Sequence, residues 1–320
     1  MGSIATDAVQ RDFLKRLPAK NVGPLWTVMD ALVSQIPAPK ATPAIWRYDE
    51  LHPDLITASQ IIPEEQAERR VLMLNNPSMK APYTTDTLYA GLQIINPGET
   101  APAHKHVAFA LRYIIEGSRG FTSVDGKKIS MEKGDVILTP SWTFHDHGHE
   151  GQGPMIWLDG LDLPLFQGIP VNFAQAYHEK RFPREPVESS PNLHFPWAPV
   201  KELLSSSRPH SVHHYLTPDG DPISNTLSAQ AERVAAGTTS PAIRETCSFV
   251  YHIPQGTGST RIVSGNGTET ILKWKENDTF AVPAWSSVSH TASDQGDVYL
   301  FAFSDRGVLE RLGFYRKQEE

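Results

Sequence analysis

The sequence predicts an all-β protein made of two copies of one small β-barrel, or jelly roll, behind an N-terminal helical arm. Three observations predict it. From Val71 onward the chain breaks into short runs of β-branched and aromatic residues closed by Gly, Pro, Asn or Asp, the texture of sandwiches and barrels. One such block then returns: Gly134-Asp135-Val136-Ile137-Leu138-Thr139-Pro140-Ser141-Trp142 lines up with Asn277-Asp278-Thr279-Phe280-Ala281-Val282-Pro283-Ala284-Trp285, and Glu116-Gly117 falls opposite Gln255-Gly256. Finally, 320 residues with 39% hydrophobic and 20% charged content suffice for two ordinary globular cores.

The elements follow in chain order. Residues 1–70 form the arm: Val9, Phe13 and Leu17, then Leu25, Met29, Leu32 and Ile36 recur at helical spacing, with Pro18 and Pro24 as punctuation, so two amphipathic helices are expected. Pro37, Pro39 and Pro43 end that run, and an irregular stretch through Trp46 and Tyr48 leads to a short helical piece at Pro63-Glu64-Glu65. Residues 71–165 form the first barrel, with strands expected at 87–95, 108–115, 121–124, 136–138 and 155–158 and a hairpin turn at Asp125-Gly126. Residues 166–223, rich in Pro, Ser and His, read as a connector packed over the barrels; residues 224–320 form the second barrel.

Composition removes several function classes. A net charge of -7 offers no basic face, so nucleic acid is not the partner. Cys247 is the single cysteine, which excludes an intrachain disulfide and a cysteine-based zinc site. No apolar stretch approaches the roughly 18 residues of a membrane helix, and no secretory h-region opens the chain. A cytoplasmic protein with no membrane partner is the expectation.

The chemistry concentrates in Gly98-Glu99-Thr100-Ala101-Pro102-Ala103-His104-Lys105-His106, followed 39 residues later by His145. Residues i and i+2 of a strand share a face, so His104 and His106 both enter a barrel, and His145 from a later strand completes one face of a metal ion. Three neutral imidazoles suit iron, zinc, copper or nickel and leave coordination positions open. An isolated His-x-His would be a chance pair, but the surrounding glycines and Pro140 sit at the spacings of the cupin motifs. Two departures matter. The usual cupin glutamate falls at Ala110, so no carboxylate joins the metal, and the glycine after Pro140 is replaced at Trp142. An ion with neutral ligands keeps its full charge and suits a dianionic chelating substrate. In the second repeat the ligand positions hold Ile243, Glu245 and Val288, so that barrel is expected to carry no metal. Its His252 and His290 read as surface or packing residues, and His210, His213 and His214 as solvated connector residues.

The runs Pro97 to His106, Ala110-Leu111-Arg112-Tyr113-Ile114-Ile115-Glu116-Gly117, Thr139 to Gly148 and Trp157-Leu158-Asp159-Gly160-Leu161-Asp162 resemble the gentisate 1,2-dioxygenase family, a bicupin group that includes salicylate and 1-hydroxy-2-naphthoate dioxygenases. The resemblance spans most of the chain. It implies a cytosolic iron(II) enzyme, usually a homotetramer, that uses O₂ to cleave gentisate between its carboxylated and hydroxylated carbons to give maleylpyruvate. It further implies that His104, His106 and His145 hold Fe(II), that Arg112 faces the substrate, that Gln93 and Gly91 lie on the pocket strand, and that His147 and Asp159 are polar residues close to the site. Either Arg69 or Arg70 resembles a further contact to the substrate carboxylate. Tyr89 stands where some members carry Trp, and His149 where the cupin motif has Asn.

Each role has a plainer counterpart. Arg112 is either a planar fork for a carboxylate or an edge arginine pairing with an acid. His147 either accepts the hydroxyl proton of the substrate or only orients a ligand, and Asp159 either fixes a histidine tautomer or caps the turn at Asp159-Gly160. The competing functions are the same cleavage of another ortho-hydroxy aromatic acid and a non-catalytic ligand-binding cupin. An intact first triad beside an eroded second one argues against the latter. A zinc or manganese hydrolase or isomerase would ordinarily want a carboxylate where Ala110 stands.

Overall fold

Strands dominate the chain from Ala44 to Glu319, as the alternation of β-branched, aromatic and turn residues demands. The computed structural model describes residues 2–205 and 208–319. It divides into two compact units, Met1–Ala38 and Pro39–Glu320.

The first unit contains the helix Gly2–Arg16, as the spacing of Val9 and Phe13 predicts. The second expected helix does not form as one piece. Between Pro24 and Pro37 there are only the 3₁₀ turn Leu25–Thr27 and the single turn Met29–Leu32. The β-branched Val28 and Val33 bracket that turn at φ near -128° and -125°, outside the helical region.

In the second unit the two repeats build the same pair of sheets. In the N-terminal half, Arg70–Met73, Tyr89–Ile95, Met155–Leu161, Ala110–Glu116 and Val136–Thr139 lie side by side. The facing sheet runs Thr100–His106, His145–His149, Gly120–Val124, Lys127–Met131. In the C-terminal half, His210–His214, Ser228–Val234, Val298–Ser304, Phe249–Gln255 and Thr279–Val282 repeat the first order. Ile243–Glu245, Ser287–Ala292, Gly258–Val263 and Glu269–Trp274 repeat the second. The five strands expected in the first half are all present, within two or three residues at each end, and Asp125 (φ 49°) with Gly126 (φ 79°) makes the two-residue hairpin turn.

The repeat extends to its fine structure. Trp142 and Trp285 both sit at positive φ, 60° and 58°, and their N–H groups donate to His106 O and Glu245 O at 2.7 Å. The left-handed turn that a glycine would enter freely is therefore kept by tryptophan in both halves. Asp135 accepts from Trp197 N, the first residue of the helix Trp197–Leu204, and Asp278 accepts from Tyr48 N, the first residue of the helix Tyr48–Ile61. A carboxylate at a helix start satisfies an orphan N–H and complements the dipole.

Three stretches differ from expectation. The region around Trp46 and Tyr48 is regular: Ala44–Trp46 pairs with Thr279–Val282 in the C-terminal half, and Tyr48–Ile61 is helical despite Pro53. Leu55 of that helix is fully buried, and its packing outweighs the cost of an internal proline. The connector also supplies edge strands. Ala174–Ala176 pairs with His104–His106, and His194–Phe195 with Val136 and Ile137, which covers open sheet edges. His210, His213 and His214 lie on a strand paired with Ser228–Val234, not in an irregular loop. One core cluster joins both halves, with Leu111, Tyr113 and Leu158 against Phe301 and Phe303 and the rings of Tyr113 and Phe301 stacked at 4.7 Å. Among the described residues no helix is long and apolar enough to cross a membrane.

Candidate metal centre

Strand geometry brings the three histidines together. His104 lies opposite His145 in the register of Thr100–His106 against His145–His149, with a bulge between Ala101 and His104, and His106 is two residues further along the same face. The ring centroids of His104, His106 and His145 are 4.3–5.2 Å apart, and one nitrogen from each lies within 4.8 Å of the others. Among the described residues this is the one group of three or more potential ligands so arranged.

The hydrogen bonds sort the two nitrogens of two of the rings. His106 Nδ1 contacts Ala108 O at 2.7 Å and His145 Nδ1 contacts Thr143 O at 2.9 Å; a carbonyl only accepts, so both Nδ1 atoms carry the proton. Nε2 of both rings is then a lone pair, and His145 Nε2 is buried with no partner. A buried lone pair with no donor is one that a metal ion would take. His104 Nδ1 lies 3.3 Å from Pro102 O and 2.6 Å from Arg69 Nη2, which itself donates to Pro102 O at 3.0 Å. Burial, then the Arg69 charge, lowers the His104 pKa to about 3; burial lowers that of His106 to about 4 and that of His145 well below its ordinary value. All three are neutral imidazoles across the physiological range, the form a metal takes. The donor set fits a borderline transition metal and contains no carboxylate.

Close to the triad lie Arg69, Arg112 and His147, with Asp159 paired to Arg112. Arg112 and Asp159 are opposite one another on paired strands, 4% and 5% exposed, with Arg112 Nε 3.2 Å from Asp159 Oδ1 and Arg112 Nη1 donating to Thr139 Oγ1 at 2.5 Å. Trp157 Nε1 donates to Asp159 Oδ1 at 3.1 Å. Asp159 is therefore the partner of an arginine, neither a histidine-orienting group nor a turn cap. Burial pushes its carboxyl pKa up and Arg112 pulls it back. Burial first, and then the Arg112 charge among other contributions, depresses His104, His106, His145 and His147.

His147 is fully buried, 5.7 Å from the His145 ring. Its Nδ1 is 3.0 Å from Thr122 Oγ1, whose own hydroxyl hydrogen goes to Met131 Sδ. Thr122 thus accepts from His147 Nδ1–H, and His147 Nε2, buried and unpartnered, is left as a lone pair. Burial holds this imidazole neutral. Gln93 is buried opposite Trp157, and Gly91 lies opposite Asp159. A Cβ on Gly91 would meet Val71 Cγ1 at 2.6 Å and Tyr89 Oη at 2.7 Å, so the glycine lets the Tyr89 ring fold over the strand.

The two arginines separate. Arg69 touches His104 and is depressed to about 10 by burial and by Arg112. Arg70 forms a bidentate pair with Glu99 and donates to Ile62 O, away from the triad. His149 is tied to Gly153 O at 2.7 Å, a turn contact. Sequence reasoning missed Thr122 and Thr139, because a lone threonine on a buried strand carries no signal until its neighbours are known. It also missed Phe173, which packs on Trp142, and Tyr177 and Phe182, which pack on Phe144 beside the ligand strands.

An all-β fold with two related halves, and a three-histidine site on the first, defines a cupin with a candidate metal centre. A cupin-domain family model matches residues 91–161. Gentisate 1,2 dioxygenase 1 of Aquipseudomonas alcaligenes is 34% identical over 96% of both chains. The crystal structure of a salicylate 1,2-dioxygenase from Pseudaminobacter salicylatoxidans superposes with a TM-score of 0.86 at 29% identity, covering 97% of each chain. A second structure of that enzyme, with gentisate, has a TM-score of 0.86, covering 97% of this chain and 94% of the other. The chain belongs to the gentisate 1,2-dioxygenase family of ring-cleaving dioxygenases.

Proposed function

We propose that this protein is an iron(II)-dependent dioxygenase that uses O₂ to cleave gentisate between its carboxylated and hydroxylated carbons, giving maleylpyruvate. The observation that carries the reading is one conjunction: three neutral imidazoles with no carboxylate ligand, beside the buried guanidinium group of Arg112 and the half-buried one of Arg69. His104, His106 and His145 would hold the metal. Bound ferrous ion supplies Lewis acidity toward an anionic chelate and electron transfer to O₂.

The remaining steps belong to the chain's own residues. Arg112 meets the substrate carboxylate as a rigid, permanently charged fork, and Asp159 and Thr139 hold that fork in place. Arg69 adds positive potential from the His104 side, so the pocket favours a carboxylate even after desolvation. His147 takes the proton of the adjacent hydroxyl at Nε2, because Thr122 fixes the proton already present on Nδ1. Gln93, Gly91 and Tyr89 border the ring, and the C-terminal half serves as a structural partner without a metal. A homotetramer acting in the cytoplasm completes the reading.

Oxygen uptake by anaerobically purified protein on gentisate, with a new absorbing product, is the expected result. The same assay on salicylate and 1-hydroxy-2-naphthoate ranks the substrates. Iron-loaded protein that consumes no oxygen on any ortho-hydroxy aromatic acid would overturn the proposal.

A further inference from the structure

The C-terminal half lost its metal ligands but not its interior. A cavity of about 180 Å³ opens there, lined by Ile243, Glu245 and Val288, the residues standing where His104, His106 and His145 stand in the first repeat. The register confirms the correspondence, since Ile243 pairs with Val288 as His104 pairs with His145. His290 likewise keeps the contact of His147, its Nδ1 2.8 Å from Thr260 Oγ1, and is buried. It is a packing residue on its strand side and a cavity wall on the other.

The chemistry around that shared frame is inverted. Strand pairing puts Tyr251 at the place of Arg112, Ala302 at that of Asp159, and Glu232 at that of Gln93. The pocket that would meet a carboxylate with an arginine has become one that presents an aromatic face and a carboxylate. Glu232 is 3% exposed and accepts from His210 Nε2 at 2.7 Å and from Gln230 Nε2 at 2.8 Å. Those bonds lower its pKa to about 2 despite burial, so it stays ionised. Tyr251 and Phe249, both in the lining, stack on one another, and Phe280 stacks on Tyr251. Ser286 Oγ, in the same lining, is buried with no hydrogen-bond partner. The basic groups bordering the cavity are Arg306, already bonded to Glu310 and 4.0 Å from Glu245, the exposed Lys317, His214, and His210, which is bonded to Glu232.

We propose that this cavity is a second binding site, distinct from the histidine centre, for a single-ring aromatic ammonium compound. An apolar cavity of about 150 Å³ is large enough to take a benzene ring. A buried carboxylate beside stacked aromatic faces attracts an organic cation, through charge and through the ring quadrupoles. The same carboxylate repels an aromatic acid. The two halves would thus select ring compounds of opposite charge. The inference does not depend on which acid the first site takes.

Titration calorimetry of the full chain with benzylamine, benzyl alcohol and benzoate tests this. Saturable benzylamine binding is expected, weakened by about tenfold or more in Glu232→Gln and lost in Val288→Phe, which fills the space. Benzyl alcohol, the uncharged ring, should bind about tenfold more weakly. Any benzoate binding should be unchanged by Val288→Phe. Glu232→Gln disturbs a buried network, so Val288→Phe and Ile243→Phe, checked by their melting curves, carry the test if that variant does not fold. Failure of benzylamine to saturate at millimolar concentration would overturn the proposal, as would benzylamine binding that survives both filling variants or benzoate binding lost with them.

Discussion

Arg112→Met isolates the contribution of the buried pair. The wild-type guanidinium and the Asp159 carboxylate are each about 5% exposed and 3.2 Å apart at their nearest atoms. Methionine fills much of the same volume but leaves Asp159 buried with only Trp157 Nε1 as a donor. Removing one member of a buried ion pair costs about 3–5 kcal/mol. For a unit of this size, an unfolding entropy of about 2.1 cal/mol/K per residue converts that to a fall of roughly 5–8 °C in melting temperature. The pH dependence has a definite sign. Burial raises the folded pKa of Asp159 above the unfolded value, so the folded variant binds more protons than the unfolded chain between the two. Its deficit is therefore largest at high pH and shrinks as pH falls toward the raised value. Calorimetric melts at about pH 8 and about pH 5 measure this. The double variant Arg112→Met, Asp159→Asn removes the stranded charge and should recover most of the loss. Equal melting temperatures for the single and double variants, or a deficit independent of pH, would refute the reasoning. Loss of a charge-assisted contact worth about 1.5–3 kcal/mol should also lower kcat/KM on gentisate about 10–150-fold, mainly through KM.

Gly91→Ala places a methyl group within 2.7 Å of both Val71 and Tyr89; the expected cost is about 1–3 kcal/mol, with a severalfold change in KM as Tyr89 is displaced, read from melts and oxygen uptake. Thr122→Val removes the acceptor that fixes the His147 tautomer, and kcat should drop about tenfold or more with an altered pH profile and little change in metal content. His252 is fully buried with its pKa lowered to about 3 by burial. The unfolded chain therefore takes that proton first, and this share of stability, complete above about pH 6.5, is lost as pH falls toward the folded value. His252→Gln should flatten the acid side of the melting-temperature profile by about one proton, and an unchanged slope would contradict the burial of His252.

The metal centre was legible in sequence because its information is local. His104 and His106 need only strand parity to share a face, and the repeat of the segment at Gly134 in the segment at Asn277 exposes both the shared frame and the loss of ligands at Ile243, Glu245 and Val288. What escaped depends on partners far along the chain. The helix Tyr48–Ile61 contains Pro53 and starts on Asp278, 230 residues away, so its local pattern looks broken. Ala174–Ala176 reads as connector because three residues carry no periodicity, and only the open edge of the ligand strand makes a strand of them. The choice between Arg69 and Arg70 was equally non-local: Glu99 takes Arg70, and the neighbouring side chain turns to His104. His210 reads as solvated surface in the sequence because its partner, Glu232, lies 22 residues away on the neighbouring strand.

The most direct measurement is the metal content of protein purified without oxygen, for wild type, His145→Ala and His290→Ala. About one iron per chain is expected in wild type and in His290→Ala, and almost none in His145→Ala. Iron retained by His145→Ala, or a wild-type protein that takes up no transition metal, would contradict it.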